Sequence, residues 1–233
     1  MTSNAFIHLE KTLSGLSSGL LPSREEQSDI NYDENNWKER VSGYIILSHA
    51  AFENYIEEIA RELLRKAHNN FSITNIPNNI LVSLVLSYRI YWPPPDNSCQ
   101  ECFGRKYLNC FGKYISNRKL KQEERSFEKA IKSAIYDYFI PDVIEINHGA
   151  TIKHINTIFI LLGLNTNLLD DTFKTDLNDF CSIRGKLAHT TTTSGTTIIL
   201  SSNIAKNTVE KLLGGKPGIW GFKEFDAFVM NLQ

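Results

Sequence analysis

One long run of residues at helical spacing constrains the fold of this chain more than any other feature. Mostly apolar side chains recur at intervals of three and four: Val41, Ile45, Ser48, Phe52, Tyr55 or Ile56, Ile59 and Leu63. Positions with this spacing lie on one side of an α-helix, so the pattern predicts an amphipathic helix from about Trp37 to about His68. At 1.5 Å per residue this helix would extend roughly 45 Å, which suits the central element of a helical bundle.

The remaining chain also favours helices, separated by short loops. Residues 17–35 are rich in Ser, Gly, Asn and Asp and predict a loop, with Asn35 or Asn36 capping the long helix. The only strand candidate, 196–200, is short, and no repeat or interdomain linker is evident. We therefore predict one all-α domain over residues 1–233. Its further helices are expected at 4–16, from Pro77 to about 91, at 121–139 before Pro141, at 150–162 closed by Gly163, at 172–189 capped by Asp170 or Asp171, at 203–213 and at 222–231.

Residues 93–118 interrupt the helical pattern and predict an irregular insertion that contains prolines and cysteines. Cys99 and Cys102 have the spacing of two zinc ligands, and Cys110 follows them. A fourth ligand is missing nearby, and the chain has no second Cys-x-x-Cys pair. The alternatives are a structural zinc site and incidental thiols in an insertion. We favour the thiols, and we expect no metal and no cofactor.

The charge of the chain gives little sign of a nucleic-acid partner. The formal net charge is -1, so any contact with RNA must come from a local patch. Basic and aromatic residues alternate around Arg105, Lys106 and Lys113, and this mixture suits single-stranded nucleic acid. The alternative, which we favour, is an ordinary solvated surface.

Two sequence features bear on the location of the protein. The longest apolar run, 155–164, is much shorter than the roughly 20 residues that span a bilayer. The first residues lack the basic and then apolar pattern of a signal peptide. We expect a cytoplasmic protein without a membrane partner.

The segment 184–189 carries the strongest chemical signal. Arg184 offers a permanently charged fork of hydrogen-bond donors, and His189 exchanges a proton near neutral pH. Together they suit a site that holds a phosphate and moves a proton beside it. His49 and Glu53 form a second polar pair, one helical turn apart on the long helix. Alternatively, Arg184 is a structural ion-pair partner and His189 complements the dipole at the end of its helix.

Three blocks of the sequence resemble the HEPN superfamily of the RiboL-PSP type. The first, LSHAAFENYI at 47–56, resembles the second helix of the family. The second, HINTIFILLGL at 154–164, resembles the turn before its motif helix. The third, LNDFCSIRGKLAH at 177–189, resembles its signature of an arginine, four residues and a histidine. Their order and spacing agree over roughly residues 40–230, and residues 1–35 and 93–118 add nothing to the likeness.

The resemblance implies a HEPN-like helical bundle and a metal-independent endoribonuclease of a toxin–antitoxin or anti-phage defence system. It makes Arg184 and His189 the expected catalytic residues, with Glu53 and His49 in support. The other expected contacts with RNA, a tRNA or an mRNA among the candidates, are Lys186, Arg105, Lys106 and Lys113. A homodimer is expected, with an antitoxin or a co-encoded defence protein as a further partner. The alternative is a non-catalytic module that binds RNA or protein.

The sequence departs from the family pattern directly after the motif arginine. Many members place Asn or another polar residue there, whereas this chain has Gly185. A glycine lowers the stability of a helix interior, so this position is expected to loosen the helix at the site.

Overall fold

A computed structural model describes residues 2–22, 34–74, 76–91, 127–189, 200–215 and 218–231 of the chain. These residues are largely helical and contain no strand, which confirms the predicted all-α fold. A π-helix follows α4 directly, and a short 3₁₀ helix covers Thr166–Leu168. The α-helices of the described ranges are α1 (Asn4–Leu20), α2 (Glu34–Thr74), α3 (Asn79–Tyr91), α4 (Phe127–Ser133), α5 (Ile152–Phe159), α6 (Asp171–His189), α7 (Ser202–Leu213) and α8 (Phe222–Met230).

Helix α2 confirms the long amphipathic helix and extends it at both ends. The residues of the predicted stripe are all buried, and Phe52, Ile56 and Ile59 are fully so. The helix begins before Asn35, so the prediction that Asn35 or Asn36 caps it was wrong. It also continues past His68, because the apolar period goes on through the buried residues Ala67 and Phe71. Thr74 Oγ1 donates to Asn70 O at 2.8 Å in the last turn.

Two other helix boundaries differ from their predictions. Helix α1 runs on to Leu20 instead of ending at residue 16, and Ser18 Oγ donates to Ser14 O at 2.9 Å within the added turn. Helix α3 begins at Asn79 rather than at Pro77, because the side chain of Asn78 accepts a hydrogen bond from Leu81 N at 3.1 Å. Asn78 is therefore the capping residue.

The helix predicted to end before Pro141 instead passes through it. Residues Ala134–Ile144 form a π-helix with Pro141 inside it, and Glu145 N bonds to Ile140 O at 2.9 Å just beyond. The wider π-turn shifts each hydrogen bond by one residue, so the steric rule for proline in an α-helix does not stop the chain here.

Helix α6 ends at His189 as the sequence predicted, whereas the preceding helix, α5, is shorter than predicted. Helix α5 stops at Phe159, earlier than predicted, and a hydrogen-bonded turn leads to Gly163, which has a φ of 88°. Leu164 N bonds to Phe159 O at 2.9 Å across this turn. Asp170 rather than Asp171 caps α6, since its Oδ1 accepts from Phe173 N at 2.9 Å.

Several predicted features lie outside the described residues. They are the insertion 93–118 with Cys99, Cys102, Cys110, Arg105, Lys106 and Lys113, the start of the helix predicted at 121, and residues 196–199 of the strand candidate. Within the described ranges, none of the helices has the length and apolar character needed to cross a membrane.

The chain divides into two compact units. Unit 1 comprises residues 1–59, 149–152 and 168–231, and unit 2 comprises 60–148, 153–167 and 232–233. In unit 2, α3 packs against the π-helix, and the rings of Tyr88 and Tyr138 lie 5.9 Å apart. The prediction of a single domain over 1–233 stays a prediction.

Unit 1 is built around a cluster of aromatic rings contributed by three helices. The ring of Phe222 lies 4.6 Å from that of Phe52 and 5.4 Å from that of Phe173. Phe52 also meets Phe180 edge to face at 5.6 Å. These contacts join α2, α6 and α8 and position the two helices that carry the motif residues.

A buried carboxylate fastens the start of α1 to this core. Asp226 is 2% exposed and accepts hydrogen bonds from Ser3 N at 3.0 Å, from Ser3 Oγ and from the Tyr55 hydroxyl at 3.2 Å. Ser3 Oγ in turn caps α1 by accepting from Phe6 N at 2.9 Å. We call Asp226, Ser3 and Tyr55 the Asp226 clasp.

Candidate active site

Helix α6 places Arg184 at the edge of a buried stripe. Phe173, Leu177 and Phe180 are fully buried at helical spacing, and Leu187 is nearly so. Arg184 continues this stripe one turn after Phe180 and is half-buried. The side chain of Arg184 therefore lies at the border between the core and the surface.

The guanidinium of Arg184 is only partly satisfied. Its Nε is buried and has no hydrogen-bond partner among the described residues. Within the same part of the chain, Arg184 forms no ion pair. Since a buried donor without an acceptor costs free energy, this arrangement favours an anion brought in from outside.

Helix α2 contributes His49 and Glu53 to the candidate site. His49 is 6% exposed, and its ring stacks on that of Phe180 with centroids 6.3 Å apart and an interplanar angle of 22°. His49 Nδ1 lies 3.9 Å from Glu53 Oε2, within ion-pair range and beyond hydrogen-bond length. The contact with Phe180 thus fixes the imidazole against the helix that carries Arg184.

Cys181 of α6 lies within electrostatic range of charged groups on both helices. Burial raises the pKa of its thiol to about 11, while the charge of Arg184 lowers this pKa and that of Glu53 raises it. Both charges are therefore close enough to act on one sulfur atom. The thiol stays protonated at neutral pH and is a poor nucleophile.

The structure pairs the two supporting residues predicted from the sequence with each other. A carboxylate and a guanidinium in contact form a charge-assisted hydrogen bond, but the described residues contain no ion pair between Glu53 and Arg184. The ion-pair partner of Glu53 is His49.

The remaining motif residues are at the end of α6. His189 is its last residue, and its side chain lies outside the described part of the chain. Lys186 is exposed, as a residue that contacts RNA must be. The helix is continuous through Gly185, so this glycine does not break α6. An added Cβ at Gly185 would meet nothing within 4 Å.

Two residues of the site were not singled out in the sequence. Phe180 supports His49, and Cys181 lies beside Arg184 and Glu53. A signal for both exists, because they precede Arg184 by four and three positions and so share its side of the helix. Their partners on α2 follow only from the way the two helices pack.

Comparison with known proteins assigns the chain to a family. The sequence matches the family model RiboL-PSP-HEPN over residues 6–214, so the chain belongs to the RiboL-PSP-HEPN family. This membership indicates a nuclease or other RNA-related role. Searches of curated proteins and of solved structures found no match.

Proposed function

We propose that the protein is a metal-independent endoribonuclease whose catalytic residues are Arg184 and His189. The observation that carries the proposal is the Arg184 guanidinium, whose buried Nε has no acceptor in the described part of the chain. A phosphate of RNA supplies such an acceptor, and the planar fork of arginine matches its geometry. Family membership supports RNA as the source of that phosphate.

The reaction uses the nucleophile that RNA itself carries. The 2′-oxygen attacks the adjacent phosphorus, the bond from phosphorus to the 5′-oxygen breaks, and the 2′-hydroxyl proton passes to a base. An acid protonates the departing 5′-oxygen, and Arg184 stabilises the charge that develops on the phosphorane. The products are a 2′,3′-cyclic phosphate and a 5′-hydroxyl.

One histidine cannot be both base and acid in the same step, so the site needs two copies of His189. A symmetric dimer supplies them when the motif helices of two protomers meet across a two-fold axis. We therefore propose a homodimer with residues 172–189 and α2 at the contact. Analytical ultracentrifugation tests this, and a stable monomer that still cleaves RNA would contradict it.

Cleavage of a labelled RNA in EDTA tests the catalytic assignment. We expect His189→Ala to lower the rate roughly 10²–10⁴-fold through lost acid–base catalysis. Arg184→Ala should lose roughly 10²–10³-fold through lost charge stabilisation, and Arg184→Lys should recover little, since an ammonium lacks the two-pronged geometry. A substrate without the 2′-hydroxyl at the scissile position should stay intact.

Matched variants on exposed positions control for charge and folding. Arg65→Ala removes an exposed arginine of α2, and His8→Ala removes an exposed histidine of α1. Both should cleave at the parental rate. If Arg184→Ala and His189→Ala also keep that rate, or if cleavage requires Mg²⁺, the assignment is wrong and a non-catalytic RNA-binding or protein-interaction module replaces it.

The cellular role proposed from this activity is that of a toxin or defence nuclease, controlled by an antitoxin or a co-encoded protein. Induced expression of the chain should then arrest growth, and His189→Ala should relieve the arrest. Arrest by the alanine variant at the parental level would separate toxicity from RNA cleavage.

A further inference from the structure

The surface of α6 between the two motif residues is formed by two of the smallest residue types. Positions 188 and 189 lie one turn after positions 184 and 185, so the four positions form one patch on the helix. Arg184 and His189 occupy two opposite corners of this patch, and Gly185 and Ala188 occupy the other two. A group held between the motif residues would therefore rest almost directly on the backbone of α6.

The fold itself does not require a glycine at position 185. The backbone there is ordinary α-helix, without the positive φ of Gly163 or Gly214. Among the described residues, an added Cβ would meet nothing within 4 Å outside its own turn of the helix, so no packed neighbour needs the space. Since Gly185 is also half-exposed, the open space beside it can be entered from outside the chain.

The charges that border this space favour an anion. Arg184 precedes Gly185, and its buried Nε has no acceptor in the described part of the chain. Lys186 follows Gly185 and is exposed. Two copies of this surface pressed directly together would bring like charges against one another. A phosphate strand removes that repulsion and supplies the acceptor that Arg184 lacks.

We propose that Gly185 is a specificity-determining residue that lets the backbone of an RNA strand lie directly on α6 between Arg184 and His189. The inference rests on the proposed function. Without a side chain at position 185, the phosphate at Arg184 and the adjoining ribose can approach the helix backbone closely. A side chain there lifts the strand from the helix, and a displacement of about 1 Å at the reacting groups can cost roughly 10²-fold in rate.

A size series at position 185 tests the inference. Alanine and leucine both favour helices more than glycine does, so Gly185→Ala and Gly185→Leu should keep or raise the melting temperature. Binding is read from the fluorescence anisotropy of a labelled, mixed-sequence 2′-fluoro RNA oligonucleotide, which has no 2′-hydroxyl to attack. We expect Gly185→Ala to bind within about threefold of the parent and Gly185→Leu to bind roughly tenfold more weakly, because the larger side chain fills the space.

The matched control is a glycine of α1. Gly15 is also helical and exposed, and an added Cβ there would likewise meet nothing within 4 Å among the described residues. Gly15→Leu should keep or raise the melting temperature in the same way and leave RNA binding at the parental level. Weaker binding without any loss of stability, at position 185 alone, is a result that a merely structural glycine would not give.

Three results would overturn the inference. In the first, Gly185→Leu binds the oligonucleotide as the parent does while Arg184→Ala binds it weakly, which would leave the proposed function standing. In the second, Gly15→Leu weakens binding as much as Gly185→Leu does. In the third, Gly185→Leu sediments as a monomer where the parent is a dimer, which would assign the space to a second copy of the chain.

Two further measurements keep the test decisive. Parental binding by both Arg184→Ala and Gly185→Leu would contradict the proposed function together with the inference. Circular dichroism checks the fold of each variant, and Gly185→Met replaces Gly185→Leu if the leucine variant does not fold, with the same weaker binding expected.

Discussion

Removal of the buried carboxylate of the Asp226 clasp should destabilise unit 1 more than most single substitutions do. Asp226→Ala deletes the acceptor of three donors: Ser3 N, Ser3 Oγ and the Tyr55 hydroxyl. Ser3 is fully buried and Tyr55 is 1% exposed, so water does not reach these donors in the intact fold. The substitution therefore leaves buried polar groups without partners.

The magnitude follows from the number of orphaned donors. Each buried donor left without an acceptor costs about 1–3 kcal/mol. Water that enters the space vacated by the carboxylate recovers part of this cost, so we expect a loss of about 3–5 kcal/mol in total. Tyr55→Phe removes one donor and leaves the carboxylate two others, so it should cost about 1 kcal/mol.

Urea unfolding followed by far-UV circular dichroism measures these changes. In the Asp226→Ala background, Tyr55→Phe should cost less than it does alone, because the orphaned hydroxyl is removed with it. Asp179→Asn, at an exposed position of α6, should leave the unfolding midpoint unchanged. A loss below about 1 kcal/mol for Asp226→Ala would refute the reasoning, since it would mean that the three donors find other acceptors.

Two further predictions concern the thiol beside Arg184 and the glycines of unit 1. With a pKa of about 11 instead of 9.0, Cys181 should react with iodoacetamide at pH 8 roughly 100-fold more slowly than an ordinary thiol. The labelling rate should rise with pH until about pH 11, and peptide mapping by mass spectrometry measures it. Rapid labelling of the folded protein at pH 8 would contradict the raised pKa. Gly221→Ala should lower the melting temperature, because a Cβ would lie 2.5 Å from Gly214 Cα, whereas Gly185→Ala has open space and should stabilise α6 by about 0.5–1 kcal/mol. Equal melting temperatures for the two glycine variants would show that the close approach at Gly221 relaxes freely.

The long helix was predictable because its burial follows its sequence spacing. Val41, Ile45 and Leu63 are buried at the positions that the period of three and four assigns to the core. The ends of the helix were harder to place from this pattern. The residues before Trp37 are polar, and those after the buried Phe71 are exposed, so neither end carries the apolar period.

The passage of the chain through Pro141 could not be predicted from local rules. Those rules describe an α-helix, in which the proline ring clashes with the preceding turn. The π-helix changes that geometry, and within unit 2 it packs against α3. The local rules contain no information about that packing.

For the site, the sequence indicated the residues and the structure supplied their pairing. Arg184, His49 and Glu53 were singled out from spacing and resemblance. The pairing of Glu53 with His49, and the stacking of His49 on Phe180, depend on which sides of α2 and α6 meet. Spacing within one helix contains no information about that choice, whereas the catalytic assignment of Arg184 and His189 stays a prediction.

The aromatic cluster of unit 1 has a consequence for the order of events during protein synthesis. Phe222 of α8 comes far later along the chain than Phe52 and also follows Phe173, yet its ring packs on both, and these two residues support the helices of the site. Contacts between such distant parts of a chain form late, since they wait for the whole intervening segment. A ribosome-bound nascent chain therefore carries α2 and α6 before it has the core that holds them together.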